Sequence, residues 1–242
     1  IVASVVARRR AGERENDLLA LALAARDDDG SPFDDRALAD ELATLLLAGH
    51  ETTATALCWT WYVLASHPRV EAALHAELDA VLGARDPEPD DVARLPYTSA
   101  VFAETLRLYP SASAFGRRAL ERCELGGYTI EAGAGIVISP YVIHRNPRYF
   151  PEPETFRPER FLGEGRPEFA YLPFGGGARR CIGEAFARME GVLAIATLAR
   201  RLRFERLDPL PVAIGTATLR PARPIRVRVC ERSPRVDCSS AG

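Results

Sequence analysis

Cys181 lies between a glycine-rich stretch, Gly175-Gly176-Gly177, and a run from Glu184 to Arg201 that is rich in Ala, Leu, Ile and Val and nearly free of helix breakers. That run predicts a helix, which places the thiol at or just before a helix N-terminus. Unpaired N–H groups there favour negative charge and hence the thiolate, the form that binds metals and attacks electrophiles. Gly177 can supply a left-handed turn, and Gly183 leaves the main chain bare for a flat ligand to approach. Arg179, two residues before the cysteine, offers a planar fork for a carboxylate.

Several chemistries compete for such a thiol. A lone cysteine is commonly a small buried hydrophobe. A nucleophilic cysteine needs a histidine base, and no local signature of a cysteine protease is present. Structural zinc needs about four clustered ligands, whereas the cysteines and histidines here are scattered. A thiolate beside a carboxylate clamp and a bare backbone suits a heme held by sulfur. The full pattern F-x-x-G-x-R-x-C-x-G, filled by Phe174, Gly177, Arg179, Cys181 and Gly183, resembles the heme-binding loop of the cytochrome P-450 family. The resemblance implies heme b with Cys181 as its iron ligand.

A second stretch, Ala48-Gly-His-Glu-Thr-Thr53, interrupts an otherwise apolar segment. Pro32 and Asp34 predict the start of a long helix that runs to about His67 and is stopped by Pro68. From Leu42 to Leu64 it is apolar on nearly every face, which predicts a central rod buried all round. Within it Gly49 weakens the helix, and a threonine hydroxyl can compete for a carbonyl three or four residues back. A kink and a small polar groove are expected, although a solvent-facing polar patch is the plainer alternative. In the P-450 family the matching stretch lies over the heme. The resemblance makes Ala48 and Gly49 cofactor neighbours and gives Glu51 and Thr52 to dioxygen activation.

Glu104 and Arg107 share a face of a predicted helix, Tyr97 to Leu108, at the i,i+3 spacing of an ion pair. The spacing is weak evidence, since Glu154 and Arg157 repeat it in a proline-rich stretch. The context Glu-Thr-Leu-Arg-Leu-Tyr-Pro110 resembles the family's E-x-x-R helix. With Arg160 of Pro-Glu-Arg-Phe161, the resemblance implies a buried triad that secures geometry behind the heme loop. Arg117 stands where the family often contacts a heme propionate, with Arg118 as a possible substitute.

The remaining elements must hold these groups in place. Residues 1–27 read as helix through Val5, Val6, Leu18, Leu19, Leu21 and Leu23, and Arg26 to Pro32 reads as a break. Val70 to Leu82 is a further helix, closed by Gly83. Glycine turns flank strands at Tyr128–Ile130 and Ile136–Ser139. Residues 146–174 read as ordered irregular coil, because they hold too many aromatics for disorder. Short strands fit Phe204, Ala217–Leu219 and Ile225–Val229. The expected fold is therefore mainly α with small β-sheets. The resemblance makes it a P-450-like fold truncated at its N-terminal side, with residues 1–230 one portion of a single domain and 231–242 a flexible tail.

Composition agrees with a globular chain: 242 residues, 47% hydrophobic, 26% charged, net charge -2. The near-neutral balance gives no nucleic-acid footprint, and no apolar run reaches the ~18 residues of a membrane span. All 31 basic residues are arginine, which reflects coding bias. Five irregularly spaced cysteines favour a reducing, cytoplasmic setting.

The resemblance implies a monooxygenase acting on a small organic substrate with dioxygen. Electrons would come from NAD(P)H through a ferredoxin or a flavoprotein reductase. A peroxygenase is the second enzyme reading, disfavoured by the Glu51–Thr52 pair, and an inactive heme-binding or interaction remnant is the third. The chain alone is expected to leave the Glu104–Arg107–Arg160 network incompletely buried, and to be neither stable nor heme-loaded.

Overall fold

The computed structural model describes residues 5, 6, 8, 9, 17–26, 30–163, 165, 167–209 and 211–232. It forms two compact units, residues 1–51 and 52–242. The boundary between them falls inside one continuous helix.

In the first unit Asp17 opens helix α1 (Leu18–Ala24) by accepting a hydrogen bond from Ala20 N–H, and Ala25 ends it in extended backbone. A single helix over 1–27 is thus corrected: an N-cap at Asp17 starts a new one, because its carboxylate satisfies an orphan N–H more locally than a continuing turn would. Arg9 pairs with the same carboxylate through two bonds of 2.9 and 2.7 Å and holds it down at about 2. Val6, Leu19 and Leu38 form the small core of this unit.

Helix α2 (Asp35–Leu64) runs unbroken through the polar stretch, so the polar residues do not interrupt it. The expectation of burial all round is also corrected. Its C-terminal half carries Ala56, Trp59, Tyr62, Val63 and Leu64 into the main core, whereas Leu46 and Leu47 are 59% and 76% exposed. An all-apolar pattern states what a helix can bury, not what is there to cover it.

The second unit is built around α3 (Pro68–Leu82), α4 (Pro96–Leu108) and α6 (Glu184–Ala199). Pro68 and Pro96 do more than stop the preceding chain. Each occupies the first helical position, where its missing N–H costs nothing. Leu74, Leu78, Val101, Leu106, Val192 and Ile195 meet in one core. Helix α4 is the most enclosed element, buried at nearly every position from Ala100 to Leu108.

Among the described residues the strands make four antiparallel two-stranded ribbons. β1 (Phe115–Arg118) pairs with β4 (Gly135–Ile138), and β2 (Cys123–Leu125) with β3 (Tyr128–Ile130). β5 (Leu202–Arg206) pairs with β8 (Val227–Glu231), and β6 (Ala213–Gly215) with β7 (Leu219–Pro221). The last strand extends past the expected limits of 225–229 because Leu202 and Glu231 complete its ladder. Arg232 is also tied down: its N–H donates to the Arg201 carbonyl, and its guanidinium reaches Asp79 at 2.5 Å. Residues 233–242 of the expected tail lie outside the described residues. The stretch 146–174 is irregular as expected, pinned by the buried rings of Phe150 and Phe156.

Candidate functional site

The loop before α6 is shaped by two different demands on glycine. Gly177 adopts φ +69°, a backbone region that a side chain would strain. Gly176 is extended, but a Cβ there would lie 3.1 Å from the Phe169 ring and 3.2 Å from Leu172. A short 3-10 turn, Gly177–Arg179, follows, and Gly183 caps α6. Cys181 is therefore two residues before the helix cap, exposed, with its N–H donating to the Phe174 carbonyl at 2.9 Å. That bond folds the ends of the loop onto each other.

The face around the thiol is bare. Beside it Ile182 is 94% exposed, and Phe186 is exposed one turn on. A Cβ on Gly177 would meet nothing within 4 Å, and one on Gly183 only Cys181 Sγ at 3.9 Å. An uncovered soft donor among exposed apolar groups and bare backbone fits a flat, apolar, iron-bearing ring. Among the described residues no cluster of three or more His, Cys, Asp or Glu side chains could hold a metal ion.

The loop also borders a cavity of about 380 Å³, lined among others by Phe174, Gly175, Arg180, Glu184 and Arg188. Arg180 and Arg188 both donate to Glu184, at 2.6 and 2.9 Å. The Arg180 bond, more than any other contact, holds the Glu184 carboxyl below its usual range. The Arg188 guanidinium also lies over the half-buried Phe174 ring, 5.0 Å from its centre. Arg179 is exposed and, among the described residues, has no carboxylate partner.

Glu104, Arg107 and Arg160 meet in one buried network. Arg107 donates to the two Glu104 oxygens at 2.7 and 2.9 Å, and Arg160 Nε donates to Oε1 at 3.0 Å. The backbone N–H of Arg157 adds a bond to the same oxygen at 2.8 Å. The remaining guanidinium donors reach the carbonyls of His144, Pro151, Glu152, Pro153 and Thr155. The side chains of Glu104 and Arg107 have no exposure and that of Arg160 has 6%. Incomplete burial of this network is thereby corrected. Its cover comes from the stretch 151–160, whose turn carbonyls accept the guanidinium donors.

Thr52 is half-buried on α2, and its carbonyl accepts from the Ser111 hydroxyl at 2.7 Å. Ser111 begins the segment that leads into β1. On that strand Arg117 is half-buried, stacked on Phe115 at 4.9 Å and bonded to the Gly116 carbonyl. Arg118 points to the opposite face and donates to Gly133. The alternation of a strand thus separates the two arginines, and only Arg117 shares a face with Phe115. Ala48, Gly49 and Glu51 lie on α2 in the first unit, where Glu51 is exposed and a Cβ on Gly49 would meet nothing within 4 Å. Sequence reasoning missed Ser111 and His144, whose partners are main-chain groups that no local pattern reveals.

The cytochrome P450 family model matches residues 3–229 of the chain. Cyclooctatin synthase of Streptomyces melanosporofaciens is 48% identical over 203 residues, which are 83% of this chain and 44% of that protein. Cyclooctat-9-en-7-ol 5-monooxygenase of the same organism is 44% identical over 208 residues, 84% of this chain and 45% of its own length. The chain thus spans less than half the length of these relatives. The crystal structure of a cytochrome P450DA heme domain superposes with a TM-score of 0.90 at 33% identity, covering 96% of this chain and 53% of that one. Among the described residues no helix is long and apolar enough to cross a membrane.

Proposed function

Because this chain belongs to the cytochrome P450 family, we propose that it forms the heme-loop portion of a heme-thiolate monooxygenase. That enzyme would insert one atom of dioxygen into an organic molecule, with electrons from NAD(P)H delivered through a redox partner. The observation that carries this reading is the exposed Cys181 on a loop kept bare by its glycines.

Cys181 Sγ would bind the iron, while Gly177 and Gly183 leave room for the ring and Phe174 flanks it. Arg117 and Arg179 would take the propionates. When bound, a heme with a thiolate ligand supplies oxygen activation, because electron density from sulfur favours O–O cleavage. Thr52 Oγ1 would hold a proton on the substrate side, with Glu51 renewing it from solvent. The buried Glu104–Arg107–Arg160 network would keep the approach to the loop fixed. Electrons would reach the site through a partner such as a ferredoxin or a flavoprotein reductase. The names of the two Streptomyces relatives make an apolar cyclic alcohol the first substrate to try.

The reduced, carbon-monoxide-treated absorption spectrum tests the assignment. The full-length protein should show the red-shifted band of thiolate ligation, and Cys181→His in it should abolish that band. Loss of the band on changing Cys58 or Cys123 instead would move the ligand elsewhere.

A further inference from the structure

His144 caps the C-terminal end of the short helix α5 (Pro140–Ile143) and is completely buried. Its two ring nitrogens face opposite kinds of partner. Nδ1 lies 3.1 Å from the carbonyl oxygen of Arg107, which can only accept, so Nδ1 carries the proton. Nε2 accepts from the Leu172 N–H at 2.7 Å. The two backbone groups thereby fix one neutral tautomer. Contact with α4 is reciprocal, since the Arg107 guanidinium donates to the His144 carbonyl at 2.8 Å.

From Leu172 the bonds continue into the loop. The Leu172 carbonyl accepts from Gly175 N–H at 3.1 Å, and the Phe174 carbonyl accepts from Cys181 N–H at 2.9 Å. The neighbouring Tyr171 hydroxyl donates to the Ala103 carbonyl of α4 at 2.8 Å, with its ring 5.2 Å from the imidazole. His144 and Tyr171 therefore join the helix that carries Glu104 and Arg107 to the stretch of chain that enters the cysteine loop, and only His144 does so through a main-chain group of that stretch.

We propose that His144 is a positioning residue for Cys181: its imidazole clamps Leu172 to the end of α4 and so fixes where the loop starts. The inference rests on the reading of Cys181 as the heme ligand. His144→Phe keeps a ring in the site but leaves a buried N–H and a buried C=O without partners. His144→Gln can still donate to Arg107 and accept from Leu172. Leu74→Ala, in the core of α3 and outside this chain of bonds, serves as a control for general destabilisation.

The test uses the heme-loaded protein and two readouts. The first is the lifetime of the red-shifted carbonyl band; the second is hydrogen exchange of residues 172–181. At matched folded fraction, His144→Phe should shorten the lifetime roughly tenfold, the factor that about 1.4 kcal/mol represents. It should also speed exchange in the loop by a similar factor. His144→Gln should restore both, and Leu74→Ala should change neither. If His144→Phe does not fold, His144→Asn, whose shorter amide reaches only one partner, carries the same comparison. A folded variant with wild-type band lifetime and loop exchange overturns the inference and leaves the heme assignment standing. Equal effects from Leu74→Ala overturn it too, by making His144 an ordinary core residue. Absence of the band in wild type would instead overturn the heme assignment and the inference with it.

Discussion

A Cβ on Gly191 of α6 would collide with the tip of the Phe102 ring on α4. Both residues are buried, so the ring has no solvent to swing into. Gly191 lets the helix after the cysteine approach the helix of Glu104 and Arg107. Gly191→Ala gains about 1 kcal/mol of helix propensity but overpacks the contact, which typically costs about 1–3 kcal/mol. We expect net destabilisation, read as a lower urea midpoint at unchanged slope. A raised midpoint would show that the contact yields easily.

Much of this arrangement is legible from local pattern. Prolines and glycines mark the ends of α3 and α4, and the apolar run after Cys181 marks α6. The motif residues Phe174, Gly177, Arg179, Cys181 and Gly183 fall on one loop because they are close in the chain. What escapes local reading is set by contacts between distant segments. Leu46 and Leu47 read as core, yet their exposure depends on what covers α2. The ladder joining Leu202 to Glu231 spans a long separation, so pattern alone marks the strands without their pairing. His144 looks like a lone polar residue among apolar ones, and only the tertiary approach of Arg107 and Leu172 gives its ring nitrogens their partners.

Thr52→Ala tests the proton role proposed for its hydroxyl. The Ser111 contact is to the Thr52 carbonyl, which alanine retains, so the local fold should survive. Heme content should stay near wild type. Product formed per NAD(P)H consumed should fall by about tenfold, within the range of general acid–base effects, with hydrogen peroxide rising in its place. Unchanged coupling would make Thr52 a helix residue and nothing more.

Stability should depend on pH through two histidines. Burial pushes His144 down from 6.5 to about 4, and burial with the nearby Arg232 does the same to His75. As pH falls below about 6.5 the unfolded imidazoles take up protons that the folded ones refuse until about 4. The unfolded state then binds more protons, so stability is complete above the window, declines across it, and stops declining from this source below it. For fully buried His144 the loss is on the order of 3 kcal/mol. Denaturation midpoints between pH 7 and 4 should fall in wild type and fall less in His144→Gln. Equal slopes would mean that His144 is not held neutral.

Glu104 pairs with two buried arginines, and its charge is the test of the network as a whole. Glu104→Gln keeps the shape and one acceptor oxygen but removes the negative charge to which Arg107 Nε and Arg160 Nε donate. Its amide nitrogen must then point a donor at a guanidinium donor or at the Arg157 N–H. The surrounding carbonyls of His144, Pro153 and Thr155 satisfy hydrogen bonds without neutralising charge. Breaking a buried pair by removing one partner typically costs about 3–5 kcal/mol, because an uncompensated charge stays behind. Arg107→Leu with Glu104→Leu removes both charges and should cost less than the sum of the single changes, the signature of coupled residues. Urea denaturation of the four proteins in this cycle measures it. Additive losses would show that Glu104 and Arg107 stabilise the chain independently, through their backbone contacts and not through each other.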